Sequence, residues 1–397
     1  MINIFKYSKR NLLLIFLTFF LFELFLFGSG RPLVIAGVTV RMLFYSISMF
    51  LALLFIIKDS LLYKEDFTLV LFFTFLLIFS SFVGIVNGAD FKNIVGDVLP
   101  LLYFLLVIFF GFLIRNDQRF IKCWVSTLKK SSVILAALYF IFLIVIFLGL
   151  IDFNSAYQFL SSDSNEIMFR GVDSSFPGIF YKSFIFLVIG FFFFYLSKGK
   201  WNKLIALFIF MSILLTLTRG FILCVFVVTY FFLLLESSIF KRFCFVILPF
   251  IFLGYLLFFT DLISLVLRPD SDAARFIQFR EVIDMINLNS IFIGHGYGIG
   301  TYSRPNNFEI TYLEIFHKQG IIGLTFWMFI LFYMSKTFWY LKEKISISKP
   351  IYAGVLVIYV QTLTNPYLIN SMGIGYLALA FVSLNSMSRL VKMETYE

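Results

Sequence analysis

Arginines set between apolar runs, together with one carboxylate late in the chain, are the residues whose types and spacing suit chemistry. In Thr216-Leu217-Thr218-Arg219-Gly220 an arginine is the only charge between two apolar runs. An ionised arginine at bilayer depth costs about 2.5 to 3.5 kcal/mol on insertion scales, so such a position usually has a use. Two readings apply: a turn residue snorkelling to the surface, or a cation facing a lipid phosphate. Arg170 stands in Phe169-Arg170-Gly171-Val172-Asp173, just ahead of Pro177 and another apolar run, with Asp173 or Glu166 as alternative ion-pair partners. Arg275 and Arg280 follow Arg268-Pro269-Asp270-Ser271-Asp272 on a helix expected from Ala273 to Ile286. Five residues apart, they are separated by about 140° around its axis. That suits a large phosphate-bearing ligand rather than one small atom; alternatively, Arg280 pairs with Asp284 one turn on, worth a few tenths of a kcal/mol. Finally, Asn306-Asn307-Phe308-Glu309-Ile310-Thr311-Tyr312-Leu313-Glu314 leads into His317-Lys318-Gln319-Gly320. On a helix, Glu309, Tyr312 and Leu313 share one face, placing a carboxylate beside an aromatic platform as a general base for a hydroxyl. The plainer role for Glu309 is an ion pair with an outer arginine.

Other motifs carry less. Asp270-Ser271-Asp272 has the spacing of a metal-binding pair, but an acid after Pro and before an Ala-containing run reads better as a helix cap, and no metal is expected. Gly294-His295-Gly296-Tyr297-Gly298-Ile299-Gly300 follows no expected strand and does not fit the dinucleotide fingerprint. Its glycines suit a backbone passing close to a ligand or membrane, and His295 reads equally as turn residue or proton carrier. Cys123, Cys224 and Cys244 fall in an inner loop or within helices, which offers neither an external disulfide frame nor a metal set. No cofactor is expected.

The elements that must hold these residues are membrane helices. With 397 residues, 61% hydrophobic and only 14% charged, and a mean hydropathy of +0.98, the chain has too little polar surface to cover a water-soluble globule. Its apolar runs are long enough to cross roughly 30 Å of hydrocarbon as helices, and the alternating segments of a β-barrel are not seen. Expected spans lie at about 11 to 28, 39 to 57, 67 to 87, 95 to 114, 131 to 152, 178 to 197, 204 to 218, 220 to 236, 243 to 260, 320 to 339, 350 to 365 and 370 to 386. The first run follows Lys6, Lys9 and Arg10, contains Glu23 and has no small-residue cleavage site, so it is expected to remain as a helix. The class is therefore an all-α polytopic membrane protein, one integral membrane domain over residues 1–397, with about twelve transmembrane helices.

With both termini cytoplasmic, the inner segments collect 16 Lys and 5 Arg, whereas the outer ones hold 8 Arg and 3 Lys. The guanidinium grips phosphate through two parallel hydrogen bonds, so the outer face is expected to bind phosphate. The net charge of +10 is spread between spans rather than gathered in a solvated domain, which argues against nucleic acid as a partner. Two outer loops, at about 153–177 and 261–319, far exceed ordinary helix connections of roughly two to eight residues, and function is expected there.

Thr218-Arg219-Gly220, Arg275 followed by Gly294-His295-Gly296, and Glu309-x-x-Tyr312-Leu313 before Gly320-Ile321-Ile322-Gly323 together resemble the O-antigen polymerase and O-antigen ligase superfamily of bacterial surface polysaccharide assembly. The resemblance covers nearly the whole chain in topology and implies a GT-C-like architecture in the bacterial inner membrane, with the active site facing the periplasm. Ligases of the superfamily carry a His-Asn pair where Glu309-Ile310 falls here, which turns the reading toward the Wzy-type polymerase; the polymerase pattern of Arg, ten residues and Gly is absent after Arg170, Arg275 and Arg280. The resemblance implies glycosyl transfer between glycans on undecaprenyl pyrophosphate, without metal. Glu309 would be the base, Tyr312 a sugar platform, and Arg170, Arg219, Arg275 and Arg280 the pyrophosphate ligands, with a polysaccharide chain-length regulator as candidate partner. The alternatives are an O-antigen ligase or capsule polymerase and, from another class, a lipid-linked oligosaccharide flippase. A flippase would bury charges in mid-membrane and show related halves, and no such repeat is found.

Overall fold

The computed structural model describes residues 2–28, 34–35, 38–59, 63–151, 155, 167–170, 178–236, 269–305 and 308–396. The chain starts with α1 (Ile2–Leu26), a small hairpin of β1 (Val34–Ile35) with β2 (Val38–Thr39), and α2 (Val40–Asp59). Next come α3 (Lys64–Val86), then α4 (Phe91–Leu101) and α5 (Leu106–Asn116) joined by a 3-10 turn at Leu102–Leu105, then α6 (Arg119–Phe147). A second antiparallel hairpin, β3 (Ile167–Arg170) with β4 (Gly178–Tyr181), leads into α7 (Ile185–Tyr195), α8 (Lys200–Leu215) and α9 (Arg219–Glu236). The last part holds α10 (Pro269–Met285), the short α11 (Leu288–Ile293), α12 (Thr311–Leu341), α13 (Ser348–Gln361) and α14 (Ser371–Tyr396).

Helices occupy most of the stretches expected to span; 178 to 197 starts as strand β4 and a 3-10 turn before α7, and 243 to 260 lies outside the described residues. Among the described residues, 7 helical segments are long and apolar enough to cross a membrane. A helix satisfies all its backbone donors and acceptors internally, which is why these Phe- and Leu-rich runs take that form in lipid. Phe50, Phe75, Phe226 and Phe332 face outward, as expected of lipid-facing surface, while α14 runs through the middle with 78% of its apolar window buried. Lipid tails are as apolar as leucine, so close packing rather than water exclusion joins such helices. Small residues supply it: a Cβ on Gly354 would overlap the Tyr376 ring, and one on Gly190 would overlap Ser132.

Three expectations change. Within the polar region 261–319 the described part holds, besides the expected helix (α10), the short α11 and the first arm of α12. α10 starts at Pro269, four residues before the expected Ala273, so positions 270–272 lie within it rather than ahead of it. α12 starts at Thr311 rather than at 320 and is broken at Gly320, whose φ of 64° is left-handed. Charges are also buried inside the bundle: Arg41 pairs with Glu23 at 2.9 Å, and Arg115 pairs with Asp66. Both pairs sit near helix ends rather than at mid-helix.

Candidate functional site

The break at Gly320 exposes backbone carbonyls that a continuous helix would have used. The carbonyl of His317 instead accepts from His295 N at 2.7 Å, and that of Lys318 from Gly296 N at 3.0 Å. The glycine turn therefore docks backbone to backbone on the broken helix. It also docks on the end of α3, where Tyr297 N donates to the Ser80 carbonyl (3.0 Å) and Asn87 Nδ2 donates to the His295 carbonyl (2.9 Å). Gly294, Gly296 and Gly298 have φ of 73°, 87° and 82°, and a Cβ on Gly296 would overlap the Gly84 backbone. The close approach expected of these glycines is made, among the described residues, to neighbouring helices.

Above this floor lies a polar cavity of about 730 Å³ walled by the second half of α4, the starts of α9, α12 and α14, and Arg275 of α10. Two charge clusters line it. The deeper one is Lys318, whose Nζ lies 2.8 Å from Asp97 Oδ1 and 2.7 Å from Glu314 Oε1, with side-chain exposures of 3%, 8% and 3%. The other oxygens of both acids are also used: Asp97 Oδ2 accepts from Gly298 N at 2.7 Å, and Glu314 Oε2 from Phe308 N at 3.1 Å. Gln319 Nε2 donates to the Tyr297 hydroxyl at 2.7 Å. Burial, reinforced by the negative Asp97 and Glu314, holds the Tyr297 phenol well above its ordinary pKa, so it stays protonated.

The shallower cluster contains Glu309. Arg304 Nη2 donates to its Oε1 at 2.8 Å, Arg275 Nε stands 3.1 Å from its Oε2, and its backbone nitrogen donates to Gln278 Oε1 of α10. Glu309 precedes the helix cap Ile310, so it does not share a helical face with Tyr312 as expected. Tyr312 turns instead toward α13, where its hydroxyl donates to the Tyr359 carbonyl at 2.9 Å, and it does not line the cavity.

The expected arginines separate. Arg219 opens α9 and reaches the cavity, because Leu217 adopts a positive φ of 51° to turn the chain and Gly220 sits tight against Gln361 and Thr364. Arg275 and Arg280 fall on different faces of α10 as their spacing requires: the first lines the cavity and the second is exposed outside it. The backbone of Arg170 ends β3 opposite Gly178, and its side chain lies outside the described residues. Asp97, Glu314 and Lys318 were not singled out as site residues from the sequence. Their signals were an acid inside an apolar run and an acid–lysine pair one helical turn apart.

No protein-family profile matches the chain, and no solved structure matches it. It is 30% identical over 375 residues to an O-antigen polymerase of Shigella flexneri, an alignment covering 92% of this chain and 93% of that protein. The chain belongs to the O-antigen polymerase family. With its apolar helices, that makes it a multi-pass inner-membrane protein of lipopolysaccharide biosynthesis, a polymerase of the glycosyltransferase type. The cavity shared by Arg219, Arg275, Arg304 and Glu309 is the candidate site of this polymerase.

Proposed function

We propose that the cavity joins O-antigen repeat units carried on undecaprenyl pyrophosphate, on the periplasmic side of the inner membrane. The observation that carries this reading is the charge of the cavity wall. Lys182, Arg219, Arg275, Arg304 and Lys318 face Asp97, Glu309 and Glu314, a formal excess of two positive charges beside one accessible carboxylate. A lipid pyrophosphate diester carries about two negative charges, and guanidiniums are the side chains best shaped to take them. The hydroxyl of the acceptor unit attacks the anomeric carbon of the donor glycan, and Glu309 takes its proton. The bond from that carbon to the pyrophosphate breaks, and the departing oxygen's charge is met by Arg219 and Arg275. Direct attack inverts the anomeric centre, and neither metal nor nucleotide sugar is required. Arg170 and Arg280 would guide the glycan–lipid toward the cavity.

This reading comes with twelve spans in a GT-C-like single membrane domain, both termini cytoplasmic, outer segments at 153–177 and 261–319, and a chain-length regulator as a candidate partner. The likeness to a polymerase favours it over a ligase. The test is chromosomal replacement by Arg219→Ala or Glu309→Ala, read as lipopolysaccharide banding with the protein quantified in membranes. Core carrying a single repeat unit is expected from both variants; wild-type banding from Glu309→Ala would remove it as the base, and complete loss of attachment would indicate a ligase.

A further inference from the structure

The bundle contains a second cavity, at the ends of α12 and α14 opposite to those that wall the first. Its volume is about 1230 Å³, and it is lined by the first half of α6, the end of α7, the α12–α13 turn and the last turns of α14. From α6 come Gln118, Ile121, Lys122, Val125, Ser126, Lys129, Lys130, Val133 and Ile134, the 3.6-residue stripe with which a helix normally meets a packing partner. Here Ile121 and Val125 of that stripe are buried, while Lys122, Ser126, Lys130 and Ile134 are exposed along the slot. Gln118 and Ile134 are sixteen residues apart, so the slot runs about 24 Å along the helix.

The slot has two kinds of wall. Phe22, Val125, Val133, Ile134, Phe194 and Leu390 make it apolar along its length, whereas Lys122, Lys129, Lys130 and Lys344 bring four cations against the single acid Glu394. Lys129 Nζ lies 4.4 Å from the Phe194 ring centre and Lys344 Nζ 3.9 Å from that of Tyr340. Among the described residues none of the four has a carboxylate within ion-pair distance. An apolar space this large is dozens of water volumes, and leaving it empty would forfeit the packing contacts that hold helices together in lipid. An occupant must therefore offer hydrocarbon to the walls and negative charge to the lysines. A peptide segment supplies neither continuous hydrocarbon nor dense charge, and water cannot satisfy the apolar walls.

We propose that this slot is a binding site for an anionic diacyl phospholipid, its phosphate among Lys122, Lys129 and Lys130 and an acyl chain along Val125, Val133 and Phe194. The site is separate from the polar cavity and stands whether or not the assignment of Glu309 holds. Lysines near an anionic lipid surface contribute roughly a factor of five each, so three together are worth about a hundred-fold in affinity.

The test is native mass spectrometry of the delipidated full-length protein in detergent, titrated with phosphatidylglycerol and with phosphatidylcholine of the same acyl chains. One retained phosphatidylglycerol is expected, with phosphatidylcholine bound at least about ten-fold more weakly. The combined variant Lys122→Gln, Lys129→Gln, Lys130→Gln should lose about a hundred-fold in phosphatidylglycerol affinity. Val133→Trp, which fills the slot and leaves every lysine in place, should abolish the retained lipid while thermal unfolding stays cooperative. Equal retention of the two lipids, or unchanged phosphatidylglycerol binding in both variants, would overturn the proposal. So would complete displacement by equimolar undecaprenyl phosphate, which would assign the slot to the single-chain carrier.

Discussion

Lys318 is the cation on which two buried carboxylates depend, so its replacement separates a buried charge cluster from an ordinary helical pair. Lys318→Met keeps the length and most of the volume of the side chain but leaves Asp97 and Glu314, with 8% and 3% side-chain exposure, without their shared partner. An exposed acid–lysine pair one turn apart is worth about 0.5 kcal/mol at most. Breaking a buried pair by removing one partner costs about 3–5 kcal/mol, because the remaining charge stays buried. The lower end applies here, since Lys318 borders the polar cavity. At about 2.1 cal/mol/K per residue of unfolding entropy, a chain of 397 residues gains about 0.8 kcal/mol/K on melting. A loss of about 3 kcal/mol then lowers Tm by about 4 °C, and by more where helices persist in the unfolded state. The assay is thermal unfolding in detergent, followed by a thiol-reactive dye whose buried target is Cys224. The combined variant Asp97→Asn, Glu314→Gln, Lys318→Met should recover most of the loss, since it removes both stranded charges. A Tm for Lys318→Met within a degree of wild type, or a combined variant less stable than Lys318→Met alone, would refute the view that the three side chains form one electrostatic unit.

Three further outcomes follow from the same geometry. Gly296→Ala should destabilise by more than about 1–2 kcal/mol, the cost of a left-handed residue, because its Cβ also overlaps the Gly84 backbone. Gly88→Ala, with φ 82° and nothing within 4 Å of its Cβ, should show the strain alone, and equal Tm values for the two would disprove the docking argument. Arg275→Lys should lower polymerisation about thirty-fold, the rate equivalent of about 2 kcal/mol for a lost hydrogen bond to a charged group. Arg280→Lys, outside the cavity, should change it far less in an assay of purified enzyme with lipid-linked repeat units; the reverse order would place the phosphate elsewhere. Burial lowers the His295 pKa below its ordinary value, so the unfolded chain takes up a proton at a higher pH than the folded one. Stability is then complete above about pH 6.5 and is lost as the pH falls below it. Melts from pH 8 to pH 5 should show a smaller acid loss for His295→Gln than for wild type, and identical profiles would exclude that contribution.

Hydropathy alone located most of the helices, because a stretch such as Phe67 to Val86 has no other way to satisfy its backbone in lipid. It placed the start of α12 too late, because Glu314, His317 and Lys318 look like loop residues to an apolar window. Their partners come from α4, far away in sequence, and from the glycine turn that precedes α12. Arg219 was legible because a lone cation between apolar runs is conspicuous, whereas Arg304 was one of many outer arginines until the fold set it against Glu309. The Gly294–Gly300 turn shows the limit of composition. Three left-handed glycines were readable as a close backbone approach, but whether the backbone approached a ligand or the broken end of α12 depended on tertiary structure.

The pairing of Glu309 bears on how the proposed reaction is ordered. Both of its oxygens face a guanidinium before any substrate is present, 2.8 Å from Arg304 and 3.1 Å from Arg275. Each oxygen keeps a further lone pair, but the two guanidiniums occupy the approach to the carboxylate from their side. Phosphate oxygens compete for the same guanidiniums through shorter, two-pronged contacts, so arrival of a pyrophosphate draws Arg275 away from Glu309. In the exchange one anion replaces another beside the same cation, so Arg275 keeps a counter-charge throughout. Binding the donor would thereby create the base that activates the acceptor. Either lipid-linked glycan brings that anion, so the exchange would be set by whichever pyrophosphate reaches Arg275.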